Sequence, residues 1–204
     1  MASDWDRVYV AKTEAERSWT QENPSESLHY IEQAHLETDA AIIDVGGGSS
    51  RLADELIRVG YTDVTVLDVS ATAIHEAQAR FSAKTEQAPE PQWIVGDILS
   101  WKPPRRYALW HDRAVFHFLT SSADQQSYIG KVLTGTAPGS QLVIATYAPT
   151  GPDMCSGMPI ARWSQESLAT RFREYFDVAE SCEQMHATPW GEERPFTWLR
   201  MVRR

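Results

Sequence analysis

The stretch IIDVGGGSSRL, residues 42–52, constrains the fold most strongly, because three consecutive glycines join an apolar run to the start of a helix. Glycine allows a tight turn and lets the backbone approach a ligand closely. A strand, a glycine turn and a helix in this order are typical of α/β folds that bind a nucleotide-like cofactor at the end of the strand. The residues around the turn then decide between cofactors.

Strand-like and helix-like patterns alternate along most of the chain. Apolar and β-branched runs predict seven strands, at residues 40–45, 63–69, 92–97, 107–112, 140–148, 175–185 and 195–202. Helical spacing and capping residues predict helices at 50–60, 70–81, 121–136 and 164–172. This alternation is typical of a parallel sheet with helices on both faces.

The last two predicted strands break the alternation. Only the segment HATPWGEER separates them, and a parallel neighbour requires a crossover of about a dozen residues or more. The last strand is therefore predicted to be antiparallel. The predicted fold class is α/β: a doubly wound, mostly parallel seven-stranded sheet with an antiparallel last strand, helices on both faces and an N-terminal helical lid.

Length and composition fit one domain. The chain has 204 residues, of which 42% are hydrophobic, and this is enough to bury a substantial core. Within the single domain 1–204 we expect an N-terminal helical cap at 1–37, a cofactor-binding core at 38–146, and a substrate loop with the C-terminal strands at 147–204. The segment up to about His35 is predicted to be helical, with Asn23 as a helix cap and Pro24 in the first turn.

Charge and residue usage argue against several classes of function. With 19 basic and 28 acidic residues the net charge is −9, which argues against nucleic acid as a partner. The two cysteines and six histidines show no metal-ligand spacing, so no metal is expected and the cysteines are expected to be reduced. The N-terminus MASDWDRVYV is charged and no window approaches a membrane span, so we expect a soluble, cytoplasmic protein. The oligomeric state is not visible in the sequence.

The glycine turn does not match two common cofactor motifs. The NAD fingerprint G-x-G-x-x-G needs a third glycine where this chain has Arg51, and a large cation there argues against NAD. A phosphate-binding P-loop needs a Gly-Lys-Ser/Thr sequence after the turn, which is missing. A cofactor without a phosphate to hold, S-adenosylmethionine (SAM), fits better.

Three acids follow three consecutive predicted strands. Asp44 is suited to attract the cationic methionyl end of SAM, and Asp68 to accept hydrogen bonds from both ribose hydroxyls. Asp97 with Ile98 offers an acceptor for the adenine amine and an apolar side for its ring. The alternative is that strands often end in Asp because Asp starts turns. Since ligands of open α/β sheets bind at the carboxyl ends of strands, we favour a cofactor site there.

These motifs resemble those of the class I SAM-dependent methyltransferases over nearly the whole chain. DVGGGSS is similar to the D-x-G-x-G-x-G motif, with Ser50 at the last glycine; VLDVS and VGDIL resemble the ribose-binding and adenine-binding strand ends. An antiparallel seventh strand is also typical of the family. The resemblance implies SAM as cofactor and S-adenosylhomocysteine (SAH) as product. The predicted cofactor-binding residues are Trp19, Gln21, Asp44, Gly46, Gly47, Gly48, Asp68, Val69, Asp97, Ile98 and His111.

Two narrower resemblances are partial. WDRVY with SWTQENPSESL and GYTDVTVLDVS resembles the branch that contains protein-lysine methyltransferases of elongation factors. HDRAVF with a downstream GP…GMP loop is similar to thiopurine and other small-thiol methyltransferases. Neither resemblance decides the acceptor.

The candidate catalytic residues lie at or just after the ends of the fourth and fifth predicted strands. His111 and Asp112 are the last residues of the fourth predicted strand, His117 lies just after it, and Tyr147 lies near the end of the fifth. A histidine is suited to accept a proton near neutral pH, which is needed only if the nucleophile arrives protonated. The alternative is that His111 caps a strand while Asp112 pairs with Arg113.

Two further segments are predicted to complete the site. Trp5, Tyr9 and Trp19 are expected to fold over the cofactor as a lid and shield its sulfonium; alternatively they only dock the N-terminal segment on the sheet. The loop at 148–163 is expected to shape the acceptor pocket, with Met154, Met158 and Trp163 as an apolar wall.

The function predicted from these features is transfer of a methyl group from SAM to an N, S or O nucleophile. The partner is a small-molecule or protein acceptor, with a small molecule favoured. The alternatives are a protein-lysine methyltransferase, a non-catalytic SAM-binding protein, and an NAD-dependent enzyme.

Overall fold

A computed structural model describes residues 2–84 and 88–204 of the chain. The helices are α1 Ala2–Ala11, α2 Ser25–Glu32, α3 Leu52–Arg58, α4 Ala71–Lys84, α5 Ser122–Gly135 and α6 Gln165–Phe172. The strands are β1 Ile42–Val45, β2 Val64–Asp68, β3 Gln92–Val95, β4 Leu109–Arg113, β5 Gln141–Tyr147, β6 Met154–Cys155, β7 Met158–Pro159, β8 Phe176–Ala187 and β9 Glu193–Arg203.

Seven of these strands form one sheet in the order β3-β2-β1-β4-β5-β9-β8. The pairs among β1 to β5 are parallel, whereas β9 runs antiparallel to both β5 and β8. The predicted mostly parallel sheet with an antiparallel last strand is confirmed. The chain leaves β3 at one edge and re-enters at β4, on the other side of β1. This reversal opens a crevice at the carboxyl ends of β1 and β4, where ligands of such sheets bind.

Two apolar layers bury the faces of the sheet. Successive residues of a strand point to opposite faces, so Ile42 packs in the layer with α2 and α3, while Ile43 packs in the layer with α5. Both side chains are fully buried. Since β1 is covered on both sides, two apolar residues, Ile42 and Ile43, follow each other directly in it, as expected for a central parallel strand.

The structure corrects two local predictions. The N-terminal cap is not one continuous helical region, because α1 is followed by a single 3-10 turn at Glu14–Glu16, and α2 is capped by Pro24 rather than Asn23. The loop predicted at 148–163 contains the hairpin β6–β7. Its two central residues, Ser156 and Gly157, have φ values of 52° and 77°, the left-handed backbone that a two-residue hairpin turn requires.

The structure bears on three further points: membrane spans, metal sites and disulfides. The described helices include none that is long and apolar enough to cross a membrane. Within residues 2–84 and 88–204, no group of three or more His, Cys, Asp or Glu side chains is placed to hold a metal ion. Cys155 and Cys182 are not joined by a disulfide in the structure, and their reduced state stays an expectation.

Arg80 of α4 braces the segment that follows the glycine turn. Its guanidinium donates to the carbonyl oxygens of Ser49 and Ser50, each at 2.7 Å, and to the carboxylate of Asp54 at 2.6 Å. Both charged side chains are nearly buried, with exposed fractions of 14% for Arg80 and 11% for Asp54. The start of α3 is therefore held from a neighbouring helix.

We expect Arg80→Ala to lower the free energy of unfolding by about 2–3 kcal/mol, because it leaves a nearly buried carboxylate and two carbonyls without their donor. Urea denaturation monitored by circular dichroism measures this loss. Arg105→Ala is the matched control: Arg105 pairs with Asp63 where both side chains are over a third exposed, so less than about 1 kcal/mol should be lost. Equal losses in the two variants would contradict a bracing role for Arg80.

Candidate cofactor and acceptor site

The turn after β1 approaches its surroundings too closely for a side chain. A Cβ atom on Gly47 would lie 2.5 Å from Oδ2 of Asp44 and 2.8 Å from Cγ1 of Val66. Both neighbours belong to strands, β1 and β2, so neither moves aside easily. This position therefore requires glycine, and the backbone of the turn forms part of the wall of a cavity.

The three acids predicted from the strand ends line this one cavity. Asp68 accepts a hydrogen bond from the backbone N–H of Ser70 at 2.8 Å, and Asp97 one from Leu99 at 2.9 Å. Burial raises the pKa of Asp68 to about 7, and the negative charge of Asp44 acts in the same direction. The cavity thus brings negative charge together in a place with little water.

His111 links two strands to the N-terminal cap. Its Nδ1 lies 2.7 Å from Oδ1 of Asp44, and its Nε2 lies 3.0 Å from Oγ of Ser27 in α2. With the proton on Nδ1, the ring donates to the carboxylate and Nε2 accepts from the Ser27 hydroxyl. All three side chains are buried, and all three line the cavity. They form a continuous hydrogen-bonded chain from β1 through β4 to α2.

Aromatic rings of the N-terminal segment close the cavity on the other side. The ring of Trp5 packs edge-to-face on Trp19 with centroids 5.8 Å apart, and on Phe118 at 5.1 Å. Tyr9 contacts Trp19 in the same manner at 5.9 Å. All four rings line the cavity. The observed arrangement agrees with an aromatic cover over the site, and its role as a lid stays a prediction.

Ion pairs hold the N-terminal segment onto the core. Arg17 is almost fully buried and donates to both carboxylate oxygens of Glu76 in α4, at 2.6 and 2.9 Å, and to Oγ of Ser49 at 3.2 Å. Its guanidinium also lies over the ring of Tyr9, 4.4 Å from the centroid. Arg51, the residue that argued against NAD, pairs with Glu14 at 3.1 Å.

Arg113, at the end of β4, supplies the only Lys or Arg side chain among the described residues that line the cavity. Its guanidinium donates to the carbonyl oxygen of Trp19. Burial lowers the pKa of Arg113, while the charges of Asp44 and Glu26 oppose that shift. The cavity therefore contains one cationic position as well as its acids.

His117 and Tyr147 form a stacked pair at the end of the cavity. Their ring planes are nearly parallel, at 2°, with centroids 5.1 Å apart. His117 is fully buried, and neither of its ring nitrogens has a hydrogen-bond partner among the described residues. Because buried polar atoms are normally paired, an imidazole left unpaired in a cavity is suited to bind a ligand.

Comparisons with known proteins agree with this geometry. Residues 42–139 match the family model of a methyltransferase domain. Residues 42–139 of the chain therefore form a methyltransferase domain. A search of curated proteins found no significant match to the sequence.

Solved structures share the fold of this methyltransferase along nearly its full length. One, from work on the conversion of a disulfide bond into a thioacetal group during echinomycin biosynthesis, is 20% identical with a TM-score of 0.79, covering 100% of this chain and 92% of that one. The N-methyltransferase NodS from Bradyrhizobium japonicum, in complex with SAH, is 16% identical with a TM-score of 0.70, covering 98% of both chains. Magnesium protoporphyrin IX methyltransferase from Synechocystis, with bound SAM, is 14% identical with a TM-score of 0.67, covering 99% and 81%.

Most residues predicted for the methyltransferase site are brought together. The predicted residues that line the cavity are Trp19, Asp44, Gly46, Gly47, Asp68, Val69, Asp97, Ile98, His111, His117 and Tyr147. They come from the ends of β1, β2, β4 and β5, the segment after β3, and the N-terminal cap. Their individual roles stay predictions.

Three predicted residues need correction. Asp112 points to the opposite face of β4, where it is fully buried and accepts hydrogen bonds from the hydroxyl of Tyr128 and the backbone N–H of Val115. It therefore braces the turn after β4, and it does not pair with Arg113. Gln21 donates to Glu26 at 3.2 Å and does not line the cavity. Gly48 also lies outside the lining, against the hydroxyl of Tyr9.

Other lining residues were not predicted as site residues. Ser27, Arg113, Val115 and Phe118 line the cavity, and so does Cys155 of the β6–β7 hairpin. Alternation along β4 offers a signal for Arg113, because it lies two residues from His111 and so shares its face. No sequence signal points to Ser27, since its place depends on how α2 packs against β4.

We expect the His117 imidazole to stay neutral between about pH 5 and pH 8, because burial and then the charge of Arg113 lower its pKa to about 3. A ¹H–¹⁵N correlation spectrum of the imidazole nitrogens across this range tests the expectation, with His117→Asn used to assign the signal. A titration of His117 with a midpoint near pH 6–7 would contradict the burial seen in the structure.

Proposed function

We propose that this methyltransferase moves the methyl group of SAM to an N, S or O atom of a small molecule. The observation that carries the proposal is the single cavity at the carboxyl ends of the strands, which combines buried acids, one cation, an aromatic cover and an unpaired imidazole. When bound, SAM supplies an electrophilic methyl group on sulfur, and its transfer breaks the carbon–sulfur bond and leaves SAH. The protein contributes alignment and exclusion of water.

The charged groups of the cavity fit the charged groups of SAM. Asp44, held by His111, is suited to face the ammonium of the methionyl end, and the guanidinium of Arg113 to face its carboxylate. Asp68 is suited to accept hydrogen bonds from the ribose hydroxyls, and Asp97 with Ile98 to hold the adenine. Each polar group of the cofactor thereby meets a protein group of matching chemistry.

The aromatic cover fits the sulfonium. Trp5, Tyr9 and Trp19 present ring surface to the cavity, and a cation near such rings is stabilised by about 0.5–2 kcal/mol. Because Arg17 attaches this segment to Glu76 of α4, and Glu14 of its 3-10 turn pairs with Arg51 at the start of α3, the rings are already held in place. In the proposed function the segment therefore acts as a lid that keeps water from the reacting atoms.

The pair His117 and Tyr147 is placed to receive the acceptor. A neutral imidazole accepts a hydrogen bond from an O–H, N–H or S–H group, and this orients the nucleophile before transfer. Because its pKa is about 3, His117 is a weak base: it orients the acceptor but does not keep the acceptor's proton, which passes to solvent when the site opens and the methylated product leaves. Stacking on Tyr147 fixes the ring.

The charge beside His117 disfavours a cationic acceptor group such as the ammonium of a protein lysine. Arg113 acts on His117 and lowers its pKa after the larger effect of burial, so a cation there is disfavoured. A lysine ammonium would approach this positive charge. Magnesium protoporphyrin IX methyltransferase, which has the same fold, acts on a small molecule by its name, and this supports the same class of acceptor here.

Binding and turnover experiments test the proposal together. In isothermal titration calorimetry we expect a binding isotherm for SAM and for SAH, and no heat of binding for NAD⁺ or ATP. With tritiated SAM and a cell extract separated into small-molecule and protein fractions, we expect the label in the small-molecule fraction. Label in the protein fraction would favour the lysine alternative, and binding without any transfer would identify a non-catalytic SAM-binding protein.

Affinity for SAH should increase with pH if Asp68 holds the ribose. The carboxyl group is mostly protonated below its pKa of about 7 and mostly ionised above it, and only the ionised form accepts from both hydroxyls. Affinity should therefore rise about tenfold between about pH 6 and pH 8. Asp68→Asn should bind more weakly at pH 8 and lose this dependence, while Asp63→Asn, at an exposed surface acid, should keep it. An unchanged pH profile in Asp68→Asn would refute the ribose assignment.

A further inference from the structure

We infer that a second depression beside the cofactor cavity binds the body of the methyl acceptor, and that this acceptor is an anionic small molecule with an aromatic or other apolar body. The inference rests on the proposed methyl transfer and specifies its acceptor. We call the second depression the side depression. Its walls include Lys12, Tyr147, Met154, Cys155, Trp190 and Arg194.

The side depression adjoins the cofactor cavity. Tyr147 and Cys155 line both, so the two spaces share a wall beside the His117–Tyr147 pair. The remaining walls come from the segment after α1, from the β6–β7 hairpin and from the turn between β8 and β9. Its volume of about 270 Å³ is just below the range of about 300–1,000 Å³ typical of small-molecule pockets, so it has room for part of a small molecule rather than for a folded partner.

Two apolar side chains stand exposed at this depression. Trp190 is 52% exposed and Met154 is 50% exposed. The indole Nε1 of Trp190 donates to Glu192 at 3.2 Å, and the turn that carries it is closed by a hydrogen bond from Gly191 N–H to the carbonyl of Thr188. An aromatic ring held in position but left uncovered is suited to pack against an apolar body.

The charged side chains of the side depression favour a ligand with negative charge. Lys12 and Arg194 contribute two cations, in a chain whose net charge is −9. Arg194 donates to Glu192 through Nη2 at 2.8 Å, but its buried Nε has no partner among the described residues. The acid of this depression, Glu16, is already held by the backbone N–H and the hydroxyl of Thr13, at 2.9 and 2.7 Å.

The same cations act on the wall that the two spaces share. Burial raises the pKa of the Cys155 thiol, and the charges of Arg194 and Lys12 oppose that shift. The charge of Arg194 likewise acts on Tyr147. The cations of the side depression, which outnumber its one lining acid, Glu16, therefore act on both residues of the shared wall, beside the place where the nucleophile would meet the cofactor. An acceptor with a carboxylate or similar anion is attracted along this path, whereas an ammonium is repelled.

Three matched fluorinated fragments test the inference: 4-fluorophenylacetate, 4-fluorophenylacetamide and 4-fluorophenethylamine. Binding is measured by ¹⁹F NMR on protein saturated with SAH, so that the cofactor cavity is filled. We expect the acetate to bind more tightly than the amide by about threefold, the order of magnitude of an exposed ion pair, and the amine most weakly. Lys12→Gln combined with Arg194→Gln should remove the advantage of the acetate.

Trp190→Ala should weaken the acetate and the amide alike, by about threefold to tenfold, because it removes the aromatic surface. Arg204→Gln and Met185→Ala are the controls, since they change an exposed cation and an exposed apolar residue elsewhere and should have no effect. Preferential binding of the amine, or no effect of the Lys12, Arg194 and Trp190 substitutions, would overturn the inference.

Repeating the titrations without SAH separates this inference from the proposed function. If SAH does not bind but the preference for the anion and its dependence on Trp190 persist, the methyl-transfer proposal fails while the side depression keeps its assigned ligand class. If SAH binds and the fragments compete with it, they occupy the cofactor cavity, and the side depression is not the acceptor site.

Discussion

The hydrogen-bonded chain Asp44–His111–Ser27 is the interaction on which the site depends. It joins the two strands on either side of the crevice to the N-terminal cap, with all three side chains buried. Removing one member would leave its neighbour without a partner in a place that water does not reach, at a cost of about 1–3 kcal/mol. Because the carboxylate of Asp44 also limits the space at Gly47, the course of the turn and the position of the acid are fixed together.

The charges of the cavity explain why a cationic cofactor suits it. Asp44 and Asp68 lie in the same cavity, and the pKa of Asp68 is raised first by burial and then by Asp44 among other charges. Bringing carboxylates together away from water is unfavourable, and a ligand with positive charge reduces that cost. Arg113 provides one such charge from the protein. The methionyl end of SAM, which carries an ammonium and a sulfonium, is suited to provide the rest.

The sheet and most of the lining of the cavity were predictable because they depend on local patterns. Strand ends, the glycine turn and the short connection before β9 are visible along the sequence, and they place Asp44, Asp68 and Asp97 at one edge. Asp112 was predicted on its sequence position alone, although the alternation of β4 puts it on the face opposite to His111.

Gln21 was expected at the cofactor but does not line the cavity, whereas Ser27 lines it and was not predicted. The reason differs from that for Asp112. The cap holds only short helices and a 3-10 turn, and its path over the sheet is set by tertiary contacts of Arg17 and Arg51 with distant acids. Such contacts leave no periodic pattern in the sequence, so they could not be predicted from it. The side depression escaped prediction in the same way, since it forms where three segments far apart in the sequence meet.

Arg51 connects the choice of cofactor to the cover of the site. In a dinucleotide-binding turn the third glycine allows the helix to pack closely on the strand. Here Arg51 occupies that position as the N-cap residue of α3, and its guanidinium reaches outward to Glu14. Arg17, a few residues further along the same segment, reaches inward to Glu76 and to Ser49 of the turn. The segment is thus anchored to α4 and to two residues just after the glycine turn, Ser49 and Arg51, and this anchoring holds Tyr9 and Trp19 over the cavity. The arginine at position 51 therefore has two consequences. It disfavours the close packing that a pyrophosphate-binding turn needs, and its pair with Glu14 helps to attach the aromatic cover that a sulfonium ligand would use.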